Sequence, residues 1–284
     1  MTRHFQTLIT AAELNHLGGA SADLLIIDTR FDLADTTAGE RAYAEAHLPG
    51  AHYLHLDRDL SAAKTGRNGR HPLPDRAAFA QCVAALGLRT GQQVVVYDAH
   101  VGMYAARLWW MLRWLGHAPV AVLDGGLQAW LAAGGATTSA ATTPAVKPGT
   151  FVAGNSLTFS VDAAGLQRQL GQLRLIDARA PERFRGDVEA LDAQAGHIPG
   201  ASNRLFKDNL QADGCFKPAQ QLQDEFKALL APYAPAQVVH QCGSGVTACH
   251  NLLAMEHAGL NGSLLYPGSW SEWSADPGRP LAKG

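Results

Sequence analysis

The stretch Leu25-Ile26-Ile27-Asp28-Thr29-Arg30 is answered far along the chain by Leu175-Ile176-Asp177-Ala178-Arg179, with 149 positions between the two aspartates. Working outward, Ala46-His47-Leu48-Pro49-Gly50-Ala51 is answered 150 positions later by Gly196-His197-Ile198-Pro199-Gly200-Ala201. Val94-Val95-Val96-Tyr97-Asp98 is matched by Val238-Val239-His240-Gln241-Cys242 at a distance of 144. Leu123-Asp124-Gly125-Gly126-Leu127-Gln128-Ala129-Trp130 is matched by Tyr266-Pro267-Gly268-Ser269-Trp270-Ser271-Glu272-Trp273 at 143. Four blocks recur in one order at nearly constant spacing. The chain therefore reads as two copies of one compact unit, each far longer than the ~20–50 residues of a solenoid repeat.

Within each copy, short β-branched runs alternate with helical patterns. Val94–Tyr97, Met103–Leu115, Val120–Leu123 and Leu127–Ala133 give strand, helix, strand, helix. This order predicts an α/β fold in which each copy is a parallel sheet flanked by helices. Thr10 followed by Glu13 is a capping-box pattern, and Pro218 is expected in the first turn of a helix running to Leu230. Residues 137–149, with two prolines and few large apolar groups, read as linker. The expected division is residues 1–136, a linker at 137–157, and residues 158–284. In an open parallel sheet, ligands sit beyond the C-terminal strand ends. The residues after Tyr97 and Gln241 therefore carry most of the interest.

Composition narrows the function classes. The 284 residues are 47% hydrophobic, and Lys+Arg 23 against Asp+Glu 25 leaves a formal charge of -2. That balance gives no broad footprint for nucleic acid or anionic lipid, so neither is expected as a partner. Apolar runs such as Leu24–Ile27 are far short of the ~20 residues that span a bilayer. Met1-Thr2-Arg3-His4-Phe5-Gln6-Thr7 shows no signal-peptide pattern, so a cytoplasmic setting is expected. Four cysteines, Cys82, Cys215, Cys242 and Cys249, form no disulfide framework and no C-x-x-C pair, and reduced thiols are expected. Cys249 lies two helical turns beyond Cys242, roughly 10 Å at 1.5 Å per residue, too far for a disulfide. His47, His52 and His55 lack acidic or thiolate companions at a metal spacing, so neither a metal nor a cofactor is expected.

The expected strand Val238–Gln241 runs into Cys242-Gly243-Ser244-Gly245-Val246-Thr247-Ala248 and then a helical pattern through Leu252, Leu253 and Met255. Two glycines in the first four positions let the backbone curl, so that successive N–H groups can form an anion-binding nest around the sulfur. A thiolate at the start of a helix is the functional reading. A buried structural cysteine is the alternative. A phosphatase of the Cys-x5-Arg type requires arginine at position 248, which is Ala248. Sulfur transfer requires a thiolate and a cradle for the persulfide anion, and the loop offers both.

On the Cys242–Thr247 loop, the two His-[Leu/Ile]-Pro-Gly-Ala turns, Asp124-Gly125-Gly126 and Gly268–Trp273, the chain resembles the tandem-domain rhodanese family of sulfurtransferases, and within it the 3-mercaptopyruvate type. The resemblance covers nearly the whole chain and implies two rhodanese-like domains, the second catalytic and the first a degenerate partner. The repeat agrees with this, since Asp98 stands where the second copy has Cys242, and a carboxylate cannot carry sulfane sulfur. Thiosulfate-preferring members have basic residues directly after the cysteine, whereas this loop is uncharged, which favours a thiol donor bearing one carboxylate.

The resemblance also implies a supporting cast. Cys242 is the nucleophile, with Ser244 and Asp57 forming a proton relay; the alternatives are a loop cap for Ser244 and a surface charge for Asp57. Gly243, Gly245, Val246 and Thr247 form the substrate-binding loop. Arg183 matches the family's carboxylate-binding arginine, with Arg185 as the alternative bearer of that charge. A second arginine of mercaptopyruvate-specific members falls at Ala190, within the acidic stretch 187–192, which weakens the substrate assignment. His71 matches a position near the relay aspartate, or is a solvent-facing loop histidine. Trp270 either walls the pocket or packs in the core. The Asp28/Arg30 and Asp177/Arg179 pairs at the strand ends are expected to tie loops together.

The expected function is transfer of sulfur from 3-mercaptopyruvate through a Cys242 persulfide to cyanide, a small thiol or thioredoxin, with release of pyruvate; thioredoxin is implied by the family alone. A thiosulfate donor is the nearest alternative. A non-enzymatic persulfide carrier or interaction module is the alternative from another class.

Overall fold

The computed structural model describes residues 4–18, 23–142 and 148–284. The middle of the expected linker, residues 143–147, and the first three residues of the N-terminal stretch lie outside the described residues. The chain divides into two compact units. The first comprises Met1–Ala62, Pro74–Leu157 and Ala212–Cys215; the second comprises Ala63–Leu73, Thr158–Gln211 and Phe216–Gly284.

The first unit runs β1 (Leu8–Ile9), α1 (Ala11–Leu17), β2 (Leu24–Asp28), α2 (Ala38–Glu45), β3 (His52–Tyr53), α3 (Arg76–Ala85), β4 (Gln93–Tyr97), α4 (Ala105–Trp114), β5 (Val120–Leu123) and α5 (Gly126–Ala132). Its five-stranded parallel sheet has the order β1-β5-β4-β2-β3. The second unit runs β6 (Phe159–Ser160), α6 (Ala163–Arg168), β7 (Arg174–Asp177), α7 (Pro181–Arg185), β8 (Ala201–Asn203), α8 (Ala219–Leu230), β9 (Val238–Gln241), α9 (Thr247–His257), β10 (Leu264–Leu265) and α10 (Ser269–Trp273). Its sheet, also parallel, has the order β6-β10-β9-β7-β8, the same topology as the first.

The reasons are local. Every residue of β4 is buried, and alternate side chains serve opposite faces, as in a strand covered by helices on both sides. Val95 and Tyr97 join Ile9, Leu14, Ile26 and Trp130 in one core, while Val239, Tyr266, Trp270 and Trp273 form its counterpart in the second unit. Thr10 caps α1 through the expected reciprocal bonds with Glu13. Pro218 stands at the N-cap of α8, one residue before the turn in which it was expected. At both strand ends, the Asp-x-Arg pair is buried and ties the following turn. Arg30 pairs with Asp28 and donates to the Ala46 carbonyl; Arg179 pairs with Asp177 and donates to the Gly196 carbonyl. The helix expected from Met103 begins only at Ala105. The residues before it are held by Asp98, whose Oδ1 accepts the amides of His100 and Gly102 and whose Oδ2 accepts those of Tyr104 and Ala105.

Candidate active site

In the second sheet the chain passes from β7 outward to β8 and then returns to place β9 on the other side of β7. Asp177 and Gln241 are paired at the ends of β7 and β9, and the Ala178 amide donates to the Gln241 carbonyl. The loops that follow these two strands therefore leave side by side at the point where strand order reverses, where open α/β sheets bind ligands. One carries Arg179 and Arg183, the other Cys242.

Cys242 is the first residue after β9 and is 2% exposed. Its amide donates to Ser269 Oγ at 3.1 Å, and that hydroxyl donates on to the Tyr266 carbonyl at 2.9 Å. Its carbonyl and that of Gly243 accept the amides of Trp270 and Ser271. The loop is thus fastened along one side to the turn after β10. Gly245 has φ +76°, and a Cβ there would fall 2.2 Å from the Pro267 carbonyl oxygen, so both the turn and the close approach require glycine. Val101, 144 positions earlier, also has a positive φ, +54°, in the corresponding loop. The two loops then diverge. α9 begins directly at Thr247, after the buried Val246, with Ala248 and Cys249 also buried; Cys249 Sγ donates to the Gly245 carbonyl at 3.4 Å.

The surroundings of this buried loop are polar. His71 Nδ1 lies 2.7 Å from Ser244 Oγ, with both side chains buried. A Cβ placed on Gly243 would stand 2.7 Å from Arg70 Nη2 and 3.5 Å from Arg183 Nη1. Arg183 makes a close pair with Glu189, at 2.7 Å, and bonds Asp192 at 3.0 Å; Arg70 is ion-paired with Asp192 as well. Burial and the neighbouring Arg183 charge push the Arg70 guanidinium below its usual range, while negative charge at Cys242 acts the other way. The acidic stretch read in the sequence as a departure is thus the partner of the arginines.

Three further residues expected at the site have their own local surroundings. Arg185 is about half exposed and pairs with Asp187 at 2.8 Å, away from the guanidinium pair over Gly243. Trp270 lies fully in the core, its indole N–H donating to the Gln194 carbonyl and Arg179 over its ring at 4.9 Å. Asp57 belongs to the first unit, where its amide donates to His55 Nδ1. Sequence reasoning missed Arg70, Glu189, Asp192 and Ser269. Arg70 carried one signal, its position next to His71. Among the described residues no group of three or more metal-ligating side chains converges.

The Rhodanese-like domain family matches residues 10–133 and 162–276, so the chain belongs to the rhodanese family and carries two such domains. Over 266 residues it is 53% identical to a Pseudomonas aeruginosa protein named as a probable 3-mercaptopyruvate sulfurtransferase, covering 92% of this chain and 93% of that one. It is 34% identical over 273 residues to the thiosulfate sulfurtransferase of Cricetulus griseus, covering 92% and 89%. Among solved structures, the 3-mercaptopyruvate sulfurtransferase from Leishmania major matches with a TM-score of 0.82 at 31% identity, covering 95% of this chain and 74% of that one.

Proposed function

We propose that the protein is a sulfurtransferase that takes sulfur from 3-mercaptopyruvate onto Cys242 and passes it to a thiophilic acceptor. The observation that carries this reading is a single loop in which Cys242 adjoins two guanidinium groups at Gly243 and a His71–Ser244 hydrogen bond. The Cys242 thiolate attacks the donor sulfur, the C–S bond breaks, and its electron pair leaves on carbon as the pyruvate enolate. The proton of the donor thiol reaches that carbon, so pyruvate and a Cys242 persulfide anion are the products. His71 and Ser244 are in place to move this proton. The loop amides of residues 243–247 and the guanidinia offset the persulfide charge. Support for such a cradle comes from the first unit, where the corresponding loop holds the Asp98 carboxylate with four amides. Cyanide then takes the outer sulfur, giving thiocyanate and restoring the Cys242 thiolate.

Asp57 enters this scheme on family resemblance alone, and Asp57→Asn kinetics test it. A cytoplasmic setting that keeps thiols reduced, and a dithiol acceptor such as thioredoxin, belong to the same reading. Relatives named for thiosulfate keep that donor as the second reading. The test is steady-state turnover by the purified protein with cyanide as acceptor. A kcat/KM for mercaptopyruvate at least tenfold above that for thiosulfate is expected. The reverse ranking would assign thiosulfate, and no turnover of either would reduce the protein to a sulfur carrier.

A further inference from the structure

We infer that Ser269 is a positioning residue for sulfur transfer: its hydroxyl fixes the backbone of Cys242, and the turn adopts a strained conformation that keeps this hydroxyl in place. The inference rests on the reading of Cys242 as the sulfur-carrying nucleophile. Ser269 belongs to the second unit, is fully buried and opens α10 in the turn after β10. Its φ is +54°, in the left-handed region where an L side chain crowds its own backbone. Among the described residues, Val101 is the one other non-glycine residue in that region, also at +54°. The repeat shows what the turn needs. Gly126 stands 143 positions before Ser269 and has φ +60°, and the Leu127 amide donates to the Asp98 carbonyl as the Trp270 amide does to that of Cys242. One turn design is used twice, and glycine meets it without strain. In the loops the exchange runs the other way, with Val101 in the first unit against Gly245 in the second. The cysteine loop is thus relaxed at this position, and the strain sits in the turn bonded to it. Serine in place of glycine at 269 costs stability, and strain of this kind persists where the side chain serves the site.

What the side chain supplies is an acceptor. Ser269 Oγ donates its proton to the Tyr266 carbonyl at 2.9 Å, which turns its lone pairs to the Cys242 amide, the donor to it at 3.1 Å. The Trp270 amide takes the Cys242 carbonyl. Two consecutive residues of one turn therefore hold both backbone polar groups of Cys242, and the peptide planes on either side of its Cα are fixed. From a fixed Cα, a single side-chain torsion aims the sulfur. The same turn takes the Gly243 carbonyl through the Ser271 amide, so the start of the loop is held as well. Removing the hydroxyl takes this acceptor from a buried amide and loosens the one residue whose placement against the donor sets the rate. A misplacement of about 1 Å at a reacting group can cost about 10²-fold.

The test is the burst of pyruvate released when the protein is mixed with excess mercaptopyruvate without cyanide. The burst amplitude counts competent chains, and its rate constant reports how well each is arranged. Ser269→Gly supplies the residue that the first unit uses in this turn, so it should fold. It is expected to keep the amplitude of the parent protein while the rate constant falls about tenfold or more. Ser269→Thr keeps the hydroxyl and adds strain, so its urea midpoint should fall while its rate constant stays near that of the parent. If Ser269→Thr does not fold, Ser269→Ala takes its place. Alanine and glycine both lack the hydroxyl and should share the lowered rate constant, although alanine alone retains the strain. A parental rate constant in folded Ser269→Gly overturns the inference, and so does a reduced amplitude with an unchanged rate constant, the mark of a purely structural role. Absence of any burst in the parent would instead reject sulfur transfer through Cys242. Alkylation of Cys242 by iodoacetamide needs no donor and would still test the positioning, with slower labelling in Ser269→Gly expected and equal labelling overturning it.

Discussion

Asp98 and Cys242 each occupy the first position after the central strand of their sheet, and the Asp98 carboxylate accepts four amides of the loop that follows it. One unit has filled its loop with a fixed carboxylate, while the other carries in the same position a free thiol, proposed above to gain and lose a sulfur. The relationship explains how a repeated fold supports one reactive centre. The first loop is closed by its own side chain, and its helix starts at Ala105 because the preceding amides are already engaged.

Replacing Asp98 should therefore damage stability. Asp98→Ala leaves buried amides without their acceptor, a loss of about 3 kcal/mol or more when charged hydrogen bonds are removed together. Urea unfolding should move to lower midpoint, with Asp98→Asn intermediate. An unchanged midpoint would mean that the carboxylate does not organise the loop.

The His71–Ser244 contact should act on turnover. Removing either partner, as in Ser244→Ala or His71→Asn, is expected to lower kcat for mercaptopyruvate about 10² -fold, with KM changed less, as for a group that moves a proton in the transition state. A rise in KM with kcat unchanged would instead assign the pair to donor binding.

Gly245→Ala tests the geometry of the loop. A Cβ would both strain a φ of +76° and meet the Pro267 carbonyl oxygen at 2.2 Å. The expected result is loss of most activity and about 1–3 kcal/mol of stability. Activity near the wild-type level would show that the loop tolerates a different path.

Acid should destabilise the protein through two buried histidines. Burial pushes His240 down to about 3 and His117 down to about 4, from an ordinary 6.5. Below pH 6.5 the unfolded chain takes up protons that these folded side chains refuse, so stability present at neutral pH is lost as pH falls toward the folded values. Between pH 6.5 and 5 each histidine accounts for a loss of order 2 kcal/mol, at about 1.4 kcal/mol per pH unit. Urea midpoints at pH 7 and pH 5 should differ accordingly, and His240→Leu should flatten the profile. Equal midpoints in the parent protein would contradict the assignment.

Much of this was legible in the sequence because the repeated blocks sit at strand ends, where turn chemistry restricts the residue types. The Asp-x-Arg pairs, the histidine turns and the cysteine loop each announce a strand end, and their repetition gives two parallel sheets of one design, whereas the strand order within each sheet is set by long-range pairing that the blocks do not state. Arg70 was not legible. It lies 172 positions before Cys242, outside every block, and nothing local states that its segment packs with the second unit. Glu189 and Asp192 were visible as an acidic run, but their role depends on which guanidinium groups they meet. Trp270 illustrates the converse, since its spacing fitted a pocket wall or a core, and the fold places it in the core.

The central claim is that Cys242 carries the sulfur, and mass spectrometry tests it most directly. After incubation with mercaptopyruvate without acceptor and trapping of thiols, the peptide containing Cys242 should gain the mass of one sulfur atom. Cyanide should then remove it, and Cys242→Ser should never acquire it. Sulfur appearing instead on Cys249, Cys82 or Cys215, or on no cysteine while pyruvate is still released, would contradict the account.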